Sequence, residues 1–287
     1  MSTNKTVHLK TAVVGIDGSE ASRHALLWLL AHPTLVDRIE VVATYSISAL
    51  AAPYGLRSAV PNLGEIYRES AEARVEIALK GIDDSRIESI RTFESRAGTG
   101  LVEAAKSANL LVLGSSGHSA LGGAFLGSVS SKCIRNSTVP ILVVPPSAAL
   151  RGELKKVVVG VDGSPNGQAA LRWAIDHVDA DGVVEMVAAF SPLEIPEGTL
   201  ARNREATEEL VQVSIDRCEN QRGVRTVSTI TAGDPRNVIA ESAEDADLLV
   251  IGQRGRRSVS HLLLGSTATS LTHHVTVPTV VVPDIGA

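Results

Sequence analysis

Short segments rich in apolar residues alternate along this chain with stretches where apolar residues recur at helical spacing. Strands are expected at residues 11–16, 39–45, 87–93, 110–113 and 139–144. The first is a continuous β-branched run, as expected of a strand covered on both faces. Between them, Ala25, Leu26, Trp28 and Leu29 form one helical stripe, and Tyr67, Ala71, Val75 and Ala78 another. Shorter helices are expected near 101–107 and 127–136. A loop rich in Ala and Pro, 46–62, precedes the second helical stripe. The order βαβαβαβαβ predicts a parallel, doubly wound five-stranded sheet with right-handed crossovers.

The whole pattern then occurs a second time. Val13-Val14-Gly15-Ile16-Asp17-Gly18-Ser19 recurs as Val158-Val159-Gly160-Val161-Asp162-Gly163-Ser164, 145 positions on, as do Trp28 as Trp173 and Glu40 as Glu185. The closing Thr138-Val139-Pro140 run recurs as Thr276-Val277-Pro278, only 138 positions on. Around Ala97-Gly98 and Ala232-Gly233 the offset is 135. Copy two has therefore lost ten residues, most of them in the long loop, and regained three. Its second and third strands are expected at 184–190 and 225–230, and its third helix at 238–243. A unit of this size is a domain rather than a solenoid repeat. The prediction is two tandem Rossmann-like α/β domains, residues 1–147 and 154–287, joined by a linker at 147–156.

Composition narrows the class. Of 287 residues, 44% are hydrophobic but only 3% aromatic, which suits sheet cores of Val, Ile, Leu and Ala. The net charge of −5 gives no argument for nucleic acid or for an anionic membrane. No apolar run approaches the roughly 18 residues of a membrane span, and residues 1–10 hold no apolar signal region. Cys133 and Cys218 occupy non-equivalent positions in the repeat. They read as buried thiols of a reducing cytosol, so the expected location is cytoplasmic.

The candidate chemistry sits in a glycine grid found once per copy. Gly114-x2-Gly117-x9-Gly127-Ser128 recurs as Gly252-x2-Gly255-x9-Gly265-Ser266, each directly after an apolar run. In doubly wound sheets ligands bind beyond the carboxyl ends of the strands. There Gly114 and Gly117 would let backbone approach an anion and reach positive φ. The helix opening at Gly127-Ser128 would offer free N–H groups to phosphate, with Ser128 and Ser130 adding hydroxyls. The plainer reading is a pair of tight turns. Asp17 and Asp162 follow the first strand of each copy and could accept from a ribose hydroxyl or an adenine amino group. Alternatively they are helix N-caps, worth about 1 kcal/mol each. Trp28 and Trp173 read as core. His273-His274 lacks a companion at metal-ligand spacing and falls at an expected helix C-terminus. No Walker lysine, G-x-G-x-x-G after the first strand, or G-x-S-x-G elbow occurs.

Taken together, the Val-Val-Gly-x-Asp-Gly-Ser opening, the G-x2-G-x9-G-(S/T) grid and the closing Val-Pro-x-x-Val-Val strand resemble the universal stress protein family. The likeness covers both copies. It implies an ATP-binding, cytoplasmic stress-response protein, sheet order 3-2-1-4-5 in each domain, and pairing of the domains through their fifth strands. Carried over, adenine and ribose contacts fall on Asp17, Val42 and Ala43, and phosphate contacts on Gly114, Ser116, Gly117, Gly127, Ser128, Val129 and Ser130. The second site comprises Asp162, Val187, Ala188, Gly252, Arg254, Gly255, Gly265, Ser266, Thr267 and Ala268. The ligand implied is ATP, with AMP or a cyclic nucleotide as alternatives, and Mg2+ accompanying the phosphates. One departure is the Ala97-Gly98-Thr99-Gly100 stretch, three residues shorter than its counterpart around Asp234-Pro235-Arg236.

Three functional readings stand beside one another. The first is a nucleotide-dependent regulator with slow or absent hydrolysis. The second is an adenine-nucleotide α-hydrolase-like enzyme, although the paired glycines of that group's loop are missing. The third is a structural dimer module with vestigial loops. The apolar strands at 139–144 and 277–282 would be exposed edges unless they met within the chain, and homodimerisation of the whole chain is a further option. Finally, copy two carries Arg254, Arg256 and Arg257 in its grid where copy one has only His118. If these arginines are not merely a solvated face, copy two should bind a triphosphate more tightly and with more salt sensitivity.

Overall fold

The computed structural model describes residues 10–47, 62–116, 126–190, 199–218, 220–256, 264–274 and 276–283. Copy one contains β1 (Thr11–Gly15), α1 (Glu20–Ala31), β2 (Arg38–Tyr45), α2 (Leu63–Leu79), β3 (Ile87–Glu94), α3 (Ala97–Ala105), β4 (Leu110–Gly114), α4 (Ser128–Asn136) and β5 (Ile141–Val144). Copy two repeats the order with β6 (Lys156–Gly160), α5 (Pro165–His177), β7 (Val183–Phe190), α6 (Thr199–Arg217), β8 (Arg225–Ala232), α7 (Pro235–Ala243), β9 (Leu248–Gly252), α8 (Ser266–His274) and β10 (Thr279–Val282). All ten strands form one sheet in the order β3-β2-β1-β4-β5-β10-β9-β6-β7-β8. Within each copy neighbours run parallel; at the centre β5 and β10 run antiparallel, with Leu142 opposite Val280.

Burial follows from this order. The inner strands β4, β5, β9 and β10 are apolar on both faces, and Leu142 and Val280 are wholly buried. The outermost strands β3 and β8 contain no buried residue, so their sequences mix polar and apolar residues. One helical layer packs α1, α2, α5 and α6 over a continuous core that spans both copies. The other packs α3, α4, α7 and α8 over the opposite face. Pro140 and Pro278 precede β5 and β10, where a missing N–H costs the ladder nothing. Their carbonyls accept from Leu111 and Leu249 at 2.9 Å each.

One expectation needs correction. The third helix of each copy starts earlier than the apolar pattern suggests, at Ala97 and Pro235. Gly98 and Gly100 lie inside α3 because space demands it. A Cβ on Gly98 would come within 2.8 Å of the Lys132 side chain, and one on Gly100 within 2.8 Å of Ser95. The stretch between the copies packs against α1 and the core. Leu154 is fully buried, His24 bonds the Ala148 carbonyl at 2.9 Å, and Gly152 sits at φ +74 against the Ala31 carbonyl.

Trp28 is core, as its spacing suggests, and stacks on His32 at 3.7 Å between ring centroids; Trp173 stacks on His177 at 4.0 Å. Both cysteines are buried, and burial pushes the Cys133 thiol up to about 12, which keeps it protonated and unreactive. No helix among the described residues is long and apolar enough to cross a membrane.

Candidate functional site

The carboxyl ends of β1 and β4 open on one edge of copy one, and those of β6 and β9 on one edge of copy two. At the first of these ends the chain makes the same turn twice. Asp17 Oδ1 accepts from the Ser19 N–H at 2.9 Å and the Ser19 hydroxyl at 2.6 Å. Asp162 Oδ1 accepts from Ser164 at 3.0 and 2.6 Å. Gly18 and Gly163 provide the left-handed backbone this turn needs, at φ +87 and +74. The helix N-caps are therefore Ser19 and Ser164, not the aspartates: each hydroxyl accepts a first-turn N–H at 3.1 Å. The aspartates instead hold those serines in place.

In copy two the same carboxylate also meets the glycine loop. Asp162 Oδ2 accepts the Arg256 N–H at 2.8 Å. A Cβ on Gly255 would come within 2.6 Å of that oxygen, so this position is glycine because a carboxylate lies against it. The Ser164 hydroxyl lies 3.5 Å from the Arg254 carbonyl, so this loop closes on the first turn from two directions.

The first grid glycine is fixed by packing. A Cβ on Gly114 would approach the Ala21 carbonyl carbon to 2.7 Å, and one on Gly252 the Asn166 carbonyl carbon to 2.8 Å. These glycines let the start of α1 or α5 lie directly on the strand end. The expectation of positive φ fails for Gly114, and Gly127, Gly252, Gly255 and Gly265 do not have it either. Gly117 lies outside the described residues, as do Arg257 and His118.

The third glycine opens the next helix. The Gly127 N–H donates to the Ser115 carbonyl at 2.7 Å and the Gly265 N–H to the Gln253 carbonyl at 3.0 Å. This bond brings the starts of α4 and α8 back beside the ends of β4 and β9. No side chain caps α4 at Gly127, so its first N–H groups are not taken by a cap. Ser128 and Ser266 are exposed at these helix starts, Val129 and Thr267 half-buried, and Ser116 half-buried at the end of its strand.

Several other predicted contact residues have buried side chains. The Ser130 hydroxyl turns inward and donates to the Gly114 carbonyl at 2.9 Å; its counterpart Ala268 is buried. Val42, Ala43, Val187 and Ala188 have buried side chains, so only their main chain could meet a ligand. Even there the Val42 and Val187 carbonyls already accept from Ile16 and Val161 at 2.9 Å. Arg254 is half-buried and Arg256 exposed. Sequence reasoning overlooked Gln253. It is 4% exposed, and its side-chain amide donates across the domain seam to the Ile134 carbonyl in the last turn of α4. The available signal was a break in the repeat, since the equivalent residue of copy one is Ser115. Among the described residues, no group of three His, Cys, Asp or Glu could hold a metal ion.

With this geometry in hand, comparison with known proteins is direct. The model of the universal stress protein family matches residues 8–145 and 153–283. A universal stress protein of Mycolicibacterium smegmatis is 29% identical over 289 residues, covering 94% of this chain and 96% of the relative. Universal stress protein Rv2005c of Mycobacterium tuberculosis is 30% identical over 285 residues, covering 94% and 95%. In fold, the chain resembles the crystal structure of a universal stress protein from Archaeoglobus fulgidus, with TM-score 0.63 at 22% identity over 96% of this chain and 98% of that one. The family model accounts for both copies almost end to end, and this chain belongs to the universal stress protein family.

Proposed function

We propose that each copy binds an adenine nucleotide, ATP foremost, and that the chain works as a nucleotide-dependent regulator of a stress or growth response with slow or absent hydrolysis. The observation that carries this reading is the helix start at Gly127, returned to the strand end by its bond to Ser115 and left without a side-chain cap. Phosphate fits such an end, because free N–H groups and the helix dipole both favour an anion. Gly265 is returned to its own strand end by the equivalent bond. In this reading the units are residues 1–147 and 154–287, the protein is cytoplasmic, and homodimerisation is an added level of assembly. Asp17 and Asp162 receive the sugar or base, with the main chain of Ala43 and Ala188 behind them. Ser116, Gly117, Gly127, Ser128 and Val129 face the phosphates in copy one, and Arg254, Gly255, Gly265, Ser266 and Thr267 do so in copy two. Since the described residues offer no metal-holding cluster, Mg2+ would arrive on the phosphates and supply charge neutralisation there.

Calorimetric ATP titration of Gly127→Glu and Gly265→Glu, each leaving one site open, tests the reading. Each variant should take up one nucleotide. The copy-two site should lose more affinity than the copy-one site between low and high salt, because Arg254 adds a charged donor. Equal salt slopes would remove the role of Arg254. Absence of binding to either variant and to the unaltered chain at millimolar ATP would overturn nucleotide binding itself.

A further inference from the structure

We infer that Gln253 couples the two nucleotide sites, so that occupation of one changes the affinity of the other; the inference rests on the nucleotide reading above. Gln253 lies between the first two grid glycines of copy two. Its main chain is fixed at both ends, the N–H donating to Val282 at 2.8 Å and the carbonyl accepting from Gly265 at 3.0 Å. It is thus part of the frame that positions the start of α8. Its side chain leaves that frame, crosses the β5–β10 seam, and donates to the Ile134 carbonyl.

Ile134 stands in the last turn of α4, where main-chain carbonyls lack partners within the helix. The neighbouring Cys133 carbonyl accepts from the Ser137 N–H at 2.8 Å, whereas the Ile134 carbonyl takes the Gln253 amide. The opposite end of the same helix, roughly 9 Å away at 1.5 Å per residue, carries Ser128 and Val129 of site one. One short rigid helix therefore has its free N–H end at one site and a carboxyl-end carbonyl held by the loop of the other. Both partners are buried, at 4% and 1% exposure, so the bond has two discrete arrangements, made or broken. Breaking it strands a donor and an acceptor away from water. A phosphate that draws Gly252–Arg256 toward α8 must either carry α4 along or break this bond. By linkage, a ligand on α4 then acts on copy two by the same factor.

Among the described residues the contact has no reciprocal. The position equivalent to Gln253 is Ser115, whose side chain is too short to span the seam, and the position equivalent to Ile134 is Thr272. This side-chain tie is therefore asymmetric.

The test compares calorimetric ATP titrations of the unaltered chain, Gly127→Glu and Gly265→Glu, each with Gln253 and with Gln253→Ser, which installs the copy-one residue. With Gln253, the two-site isotherm should depart from the sum of the single-site isotherms by about fivefold, the low end of allosteric couplings. With Gln253→Ser the isotherms should add. The same departure in both backgrounds, or none with Gln253 present, overturns the coupling. Gln253→Met, close in volume but without the donor, repeats the comparison if the serine variant folds poorly. A ligand-free readout separates this inference from the nucleotide reading. Amide exchange across α4 should quicken about fivefold in Gln253→Ser while α1 is unaffected, and unchanged α4 exchange overturns the tie. Loss of α4 protection without ATP uptake by any variant would leave the mechanical link standing, remove the nucleotide reading and end the coupling with it.

Discussion

Copy one and copy two agree where backbone geometry is demanding and differ in the side chains beside it. The Asp17 and Asp162 turns match to within 0.1 Å in both hydrogen bonds to their serines. A Cβ on Gly114 or Gly252 would meet the start of α1 or α5 at 2.7 or 2.8 Å. By contrast, Ser115 becomes Gln253, Ser130 becomes Ala268, and the uncapped start of α3 at Arg96 becomes an Asp234 cap on α7. Contacts of 2.7 Å to backbone tolerate no larger residue, whereas an exposed helix start tolerates many. The frame of each candidate site is thus fixed by sterics, while the side chains packed around it differ between the copies.

The seam is where the copies should prove most alike. Leu142 and Val280 lie opposite each other, both wholly buried. Leu142→Asp and Val280→Asp should each cost about 4 kcal/mol, because an unpaired carboxylate is left in a dry interface. Denaturant unfolding and small-angle scattering would read the loss of stability and the parting of the halves. A compact profile with unchanged stability in either variant would show that the central pair does not hold the copies together.

A smaller difference concerns acid. His177 is half-buried beside Trp173, its Nδ1–H donates to the Trp173 carbonyl at 2.7 Å, and its Nε2 faces the Lys10 ammonium at 3.1 Å. Desolvation first, then the charges of Lys10 and Arg222, push the imidazole down to about 4. His32, its counterpart, is also lowered by burial. An imidazole with a depressed folded pKa binds fewer protons folded than unfolded between about 4 and 6.5. Stability is therefore full above pH 6.5 and falls as acid is added through that window, by about 3 kcal/mol for His177 alone. Unfolding curves of His177→Gln across pH 4–7 should be flatter by that amount. A slope equal to that of the unaltered chain would deny His177 its part.

The grid glycines give the smallest effect and divide the comparison by position. Gly114→Ala and Gly252→Ala should each lower stability by about 2 kcal/mol, since backbone rather than a movable side chain blocks the methyl group. Gly265→Ala meets nothing closer than 3.3 Å and should cost well under half of that. Equal melting losses for all three would mean that close helix approach is not what selects the first glycine.

The duplication, the strand and helix order and the positions of both glycine grids were legible in the sequence, because they depend on local periodicity and on residues whose backbone properties are intrinsic. Trp28 was legible as core for the same reason, its place on a helical stripe. The site was legible only as a frame. Ser130 and Ser128 look alike as hydroxyls at a helix start, yet one bonds Gly114 inside and the other faces out, a matter of rotation about the helix axis after docking. On paper Asp17 could be a cap or a ligand group and Ser19 could equally be the cap; the turn that decides for Ser19 closes with Gly18 at φ +87. Gln253 was an unremarked break in the repeat. Its role depends on an antiparallel meeting of two strands 138 residues apart, and local pattern carries no information about what the far side of that seam presents. The sequence by itself determined which segments are strands, helices and glycine turns, since those are short-range preferences. The tertiary structure decided which groups point into the site and which cross between copies, since burial and partner geometry exist only once the sheet is assembled.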